Sequence, residues 1–205
     1  MKIRRYEEMN LQELDVMKEI GSIGTSHAAT ALSKLVQKEV RITIPQVHIL
    51  DYNQAVKRIG NEEEIVGATL VQMSGDLNGL MLFLYNADYA NCVLERLLGR
   101  CYTGFEAMDE MAHSALTEAG NIIICSYVNA FTGLTGMDVS LSVPSSAVNM
   151  LGGILTVPMA ELGNETDRLM SFDAEFLMEG RKLPSWLLML PHMESLNEIM
   201  TRLGV

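Results

Sequence analysis

A chain of 205 residues, 48% hydrophobic, has the length for one domain or two tightly packed half-domains, and can bury a core without disulfides or metals. Its formal net charge of -11 argues against nucleic acid or an anionic membrane as the main partner, because both demand clustered Lys and Arg; a partner with a basic patch is tolerated. Three scattered cysteines with no C-x-x-C, no apolar region behind Met1 and no run of about 18 apolar residues point to a reduced, cytoplasmic chain without a membrane span.

In chain order, Leu14, Met17, Ile20, Ala28, Ala31, Leu32 and Leu35 recur at helical spacing and predict one long helix from Leu11 to Val36. Gly21 and Gly24 lie inside it, where each costs roughly 1 kcal/mol of helix propensity and lets a second backbone or a partner come close. Val40 to Ile44 alternates and is β-branched, a strand stopped by Pro45, with Val47 to Leu50 continuing extended. The acidic stretch Asn61 to Glu64 is expected as a loop. Ile65 to Met73 and Gly79 to Tyr85 read as a hairpin, followed by a helix from Asn86 or Ala87 to Leu98 that Gly99 ends.

The second half follows the same order: a helix from Asp109 to Thr132 closed by Gly133 and Gly136, a strand from Met137 to Val143 stopped by Pro144, strands Leu169 to Met178 and Ser185 to Leu190, and a last helix to Leu203 before Gly204. Ser145 and Ser146 are read as the cap of a short helix beginning near Ala147, an element without counterpart in the first half. No low-complexity linker intervenes. The expectation is an α/β (α+β) fold in which residues 1–205 form a single domain of two repeats, about 11–99 and 109–204. It is internally duplicated and pseudo-twofold, with a mainly antiparallel sheet and helices packed on it.

One polar pattern occurs twice. Asp15-x-x-x-Glu19-x-x-Ser22 in the first long helix matches Ser114-x-x-x-Glu118-x-x-Asn121 in the second, and twenty-two residues separate Ser22 from Pro45 and Asn121 from Pro144. The spacing i, i+4, i+7 puts each set on one helical face. A carboxylate next to a carboxamide can hold a partner lysine and orient a water. Covalent catalysis is not supported: no His or Lys is placed to activate Ser114, and His113 points elsewhere on the helix. Gly21-Ser22-Ile23-Gly24-Thr25 lacks the ending of a phosphate loop, and His48 with Asp51 would need distant help to hold a metal. Cys125, Trp186 and the many methionines are read as core.

The repeated pattern and its proline resemble the signature of the CheC/CheX/FliY chemotaxis phosphatases, over nearly the whole chain. Two copies, the end at Val205 without a flagellar switch domain, and the added helix after Pro144 are similar to the CheC type. The resemblance implies a phosphatase acting on phosphorylated CheY, the chemotaxis response regulator. Glu118 would bind a lysine of the regulator, Asn121 would place the attacking water in line with the phosphoryl-aspartate, and Ser114 would support the face. Mg²⁺ would be carried by the regulator, with no cofactor or metal of the chain's own. Asp15, Glu19 and Ser22 would form a second, weakened site, because the Ser22 hydroxyl is about two bonds shorter than a carboxamide. CheD is a further partner that the resemblance implies, docking around Ala147 to Leu155. The alternative, from another class, is a non-catalytic binding module that sequesters CheD or phosphorylated CheY.

Overall fold

A computed structural model describes residues 5–43, 45–162 and 168–205. A 3-10 turn, Tyr6–Glu8, leads into helix α1, Leu11–Val36, which has the bounds that the apolar spacing predicts. Asn10 caps it: its side chain accepts from the Gln12 and Glu13 amides while the Glu13 carboxylate takes the Asn10 amide. Strands β1, Val40–Ile42, and β2, Gln46–Asp51, follow on either side of buried Pro45; Ile44, placed in the first strand by sequence, lies outside the described residues. The rest of this half is α2, Tyr52–Ile59; β3, Ile65–Gly75; β4, Gly79–Tyr85; and α3, Ala87–Leu98. The second half runs through a 3-10 turn, Phe105–Ala107, then α4, Glu110–Thr135; β5, Val139–Leu141; β6, Ser145–Met150; α5, Leu151–Leu162; β7, Arg168–Met178; β8, Arg181–Pro191; and α6, Met193–Leu203.

Among the described residues, the eight strands pair antiparallel in the order β1-β7-β8-β4-β3-β5, with β2 also on β7 and β6 also on β3. The register repeats between the halves. Gln46 faces Asp173 as Ser145 faces Leu70, and Asp51 faces Arg168 as Met150 faces Ile65. The pseudo-twofold axis passes through the β4–β8 pair, where Phe83 sits opposite Leu187. Each half therefore lays its first two strands on the hairpin of the other half.

Alternate strand residues serve two cores. Met81, Phe83 and Tyr85 face α1, α3, α4 and α6 in the larger one; Leu80, Leu82 and Leu84 face α2 and α5 in the smaller. The two glycines flagged by sequence sit where α1 meets its neighbours. A methyl on Gly21 would come within 2.8 Å of the Phe172 ring, and one on Gly24 within 2.7 Å of the Tyr127 ring.

Three sequence expectations are corrected. The residues from Ser145 to Met150 are strand, not the start of a capped helix, because pairing with β3 satisfies their backbone; the helix begins only at Leu151. That helix also has a counterpart, α2, so the duplication is more complete than the sequence suggests. The strand expected from Met137 to Val143 is only three residues long. Pro45 and Pro144 play matching parts: each interrupts an outer strand, where its missing amide hydrogen is tolerated.

Candidate functional site

Helices α1 and α4 pack side by side on one face of the sheet, and Thr25 Oγ1 and Tyr127 Oη lie 2.6 Å apart between them. Burial pushes the Tyr127 phenol up to about 12, with the Thr25 hydroxyl working against the rise. Buried Leu116, Ala119, Gly120, Ile123, Ile124 and Tyr127 fix α4 on the sheet. The face turned away from them carries Ser114, Glu118 and Asn121: Ser114 and Glu118 are exposed and Asn121 is half-buried. The three residues picked out by spacing are thus brought together on a helix whose other side is anchored.

Among the described residues, Glu118 makes no hydrogen bond or ion pair. Its carboxylate is free to accept from an incoming ammonium. The Asn121 carboxamide is held from within the helix: the Cys125 thiol donates to Asn121 Oδ1 at 3.6 Å. Burial raises the Cys125 thiol above its ordinary range, and the nearby Glu118 carboxylate adds to the rise, so the thiol keeps its proton and remains a donor. Sequence reasoning put Cys125 in the core; it is half-exposed at the site instead. Its place four residues after Asn121, and seven after Glu118, was the signal available.

The first copy has the same framework with different ends. Asp15 and Glu19 are exposed and Ser22 is half-buried on α1. Asp15 is occupied by Lys18 at 2.8 Å, whereas Ser114 has no such neighbour among the described residues. Where Cys125 holds a side-chain carbonyl, the equivalent Ser26 donates to the backbone carbonyl of Ser22 at 3.0 Å. Pro45 packs beside Gly21, one residue before Ser22, so the motif's proline wedges the base of this face.

Other polar groups form a cluster on the opposite side of the sheet. Asp173 takes Arg58 and the buried Ser171 hydroxyl, and Arg58 reaches the His48 ring at 2.5 Å. His48 is therefore engaged with Arg58 and Asp173 and not with Asp51, its partner in the sequence reading. Among the described residues, no helix is long and apolar enough to cross a membrane.

The CheC-like family model matches residues 13–49, a span that holds the first polar face and its proline. The CheY-P phosphatase CheC of Bacillus subtilis is 27% identical over 197 residues, which is 94% of each chain. Among solved structures, Thermotoga maritima FliY superposes with a TM-score of 0.75 at 20% identity, over 96% of this chain and 98% of that one. A chain of the CheX–CheY–BeF3–Mg²⁺ complex of Borrelia burgdorferi gives 0.51 at 16% identity, over 82% and 95%.

Proposed function

We propose, from the premise of a CheC-type protein that family match, relatives and fold together support, that this chain hydrolyses the phosphoryl-aspartate of a CheY-like response regulator. The observation that carries the reading is the Glu118 carboxylate, unpaired among the described residues, one helical turn from the carboxamide of Asn121 on the uncovered side of a helix whose other side packs on the sheet.

The regulator docks with its active-site lysine on Glu118, an ammonium–carboxylate hydrogen bond strengthened by charge. Asn121 enters beside the phosphoryl group. Its carbonyl oxygen has two lone pairs, so it can accept from Cys125 and from a water at once, while the amide group limits where that water can sit. An acyl phosphate is already labile, and the water only needs to be held in line with the breaking P–O bond; positioning then supplies most of the acceleration. Mg²⁺ stays with the regulator. Site one docks through Glu19 but turns over poorly, because the Ser22 hydroxyl stops short of the water's position.

CheD is the second partner we infer. Its docking surface is the edge formed by β6 and the start of α5, where Asn149 and Met150 are exposed while Leu151, Ile154 and Leu155 are buried in the smaller core. Pull-down with a matching CheD, repeated with Asn149→Lys, tests this; retention by the variant moves the surface elsewhere.

The deciding experiment adds the protein to phosphorylated CheY and follows decay of the phosphoryl-aspartate. Faster decay is expected. Binding without faster decay would replace the enzyme by a sequestering module.

A further inference from the structure

The two halves differ sharply at one equivalent place beside the long helices. In the first half, Arg168 stands opposite Asp51 at the start of β7. Its Nε donates to Glu7 Oε1 at 3.0 Å, and its Nη1 to Asp51 Oδ2 and Gln54 Oε1, each at 3.2 Å. Glu7 belongs to the 3-10 turn ahead of α1. The guanidinium thus ties that turn to the sheet edge.

In the second half the register puts Ile65 where Arg168 stands and Met150 where Asp51 stands. The acid of the turn is retained: Glu106 occupies the same position in Phe105–Ala107 as Glu7 in Tyr6–Glu8. Its base is gone, and among the described residues Glu106 makes no ion pair. In place of a bridging side chain there is an open cavity of about 650 Å³, lined by Ile65, Tyr85, Phe105, Glu106, His113 and the edge of β6. His113 puts one wall of the cavity on α4, the helix that also carries Glu118 and Asn121, with His113 directed away from their face.

We propose that this cavity receives an arginine side chain of the docking regulator, whose guanidinium pairs with Glu106 as Arg168 pairs with Glu7 in the other half. The proposal rests on the phosphatase reading and adds a specificity pocket to it. Three features converge on that occupant. The internal copy shows a guanidinium in the matching place. Tyr85 and Phe105, each more than nine-tenths buried, line the cavity with apolar surface that suits the aliphatic stem of an arginine. A chain with net charge -11 attracts a basic element before contact.

The test uses the full-length protein with phosphorylated regulator. Ile65→Arg supplies the missing base from within and occupies the cavity; Ile65 is 47% exposed, so the longer side chain does not enter the core. KM should rise about tenfold, the size of one charge-assisted hydrogen bond, with kcat retained. Glu106→Gln should act in the same direction. Unchanged KM in both variants, while Asn121→Ala still abolishes hydrolysis, overturns the cavity and leaves the phosphatase standing. Unchanged KM with loss of self-association assigns the cavity to a second copy and also overturns the proposal. A separate measurement does not depend on hydrolysis: methylguanidinium titrated into the protein should shift the His113 ring signals, and Glu106→Gln should remove the shift. No shift in the unmodified protein overturns the proposal whatever the activity shows.

Discussion

The hydroxyls of Thr25 and Tyr127 meet at 2.6 Å across the contact between α1 and α4, so the two helices that carry the repeated polar faces share a buried hydrogen bond. Both residues are more than nine-tenths buried, which shields the pair from bulk solvent. Tyr127→Phe removes one partner and leaves the Thr25 hydroxyl shielded. A loss of about 1–3 kcal/mol is expected from an unsatisfied buried hydroxyl, read as a lower urea midpoint with unchanged m-value. Thr25→Val together with Tyr127→Phe should recover part of it.

Asn121→Ala should reduce hydrolysis of the regulator's phosphoryl group by about a hundredfold or more, the usual scale of lost positioning. Ser22→Ala should leave most of the activity. Single-turnover decay of phosphorylated regulator measures both; a larger loss from Ser22→Ala would reverse the ranking of the two faces. Ser22→Asn tests reach from the other direction and should raise turnover.

Through its contact with Asn121 Oδ1, Cys125 is expected to act as a positioning residue of the proposed site. Cys125→Ala should lower kcat severalfold and leave KM alone, while Cys125→Ser, which still donates, should retain most of kcat. Equal effects on KM and kcat would show that the helix face as a whole had shifted.

Gly24 has no room for a side chain. A methyl there would meet Tyr127 Cδ1 at 2.7 Å and the Tyr127 Cα at 3.1 Å, and the second of these cannot rotate away. Gly24→Ala gains roughly 1 kcal/mol of helix propensity but forces the helices apart, an overpacking cost of about 1–3 kcal/mol. Net destabilisation is expected in thermal unfolding.

The His48 ring is held below its ordinary range, first by burial and then by the Arg58 guanidinium, with the Asp173 carboxylate pulling the other way. The folded chain therefore binds fewer protons here than the unfolded chain as acidity increases. This contribution to stability is complete above the ordinary histidine value of about 6.5 and is lost progressively as pH falls below it. The urea midpoint should drop between pH 7 and pH 5.5, a range of about one and a half units, and drop less in His48→Gln.

Local physics in the sequence reached the long elements and the shared face. The apolar spacing of α1 and the apolar hairpin strands needed no tertiary information, and the spacing of Ser114, Glu118 and Asn121 put them on one helical face, while the roles proposed for them rest on the repeat and the family resemblance. Helix α2 was missed because Tyr52–Ile59 is short and half polar, although its capping box, Asp51 with Gln54, was present in the sequence. Strand β6 was misread because Ser-Ser-Ala-Val-Asn-Met has weak strand preference; it is a strand because β3 lies beside it. The relation between Arg168 and Glu106 was out of reach for a different reason. It appears only when registers from opposite ends of the chain are compared.

Reciprocal strand lending has a consequence for inheritance and assembly. Among the described residues β1 and β2 find partners only on β7, and β5 and β6 only on β3. A polypeptide cut between α3 and α4 would yield two pieces, each with orphaned outer strands. Either piece could complete its sheet only by trading those strands with a companion. Joining the halves in tandem makes that companionship permanent.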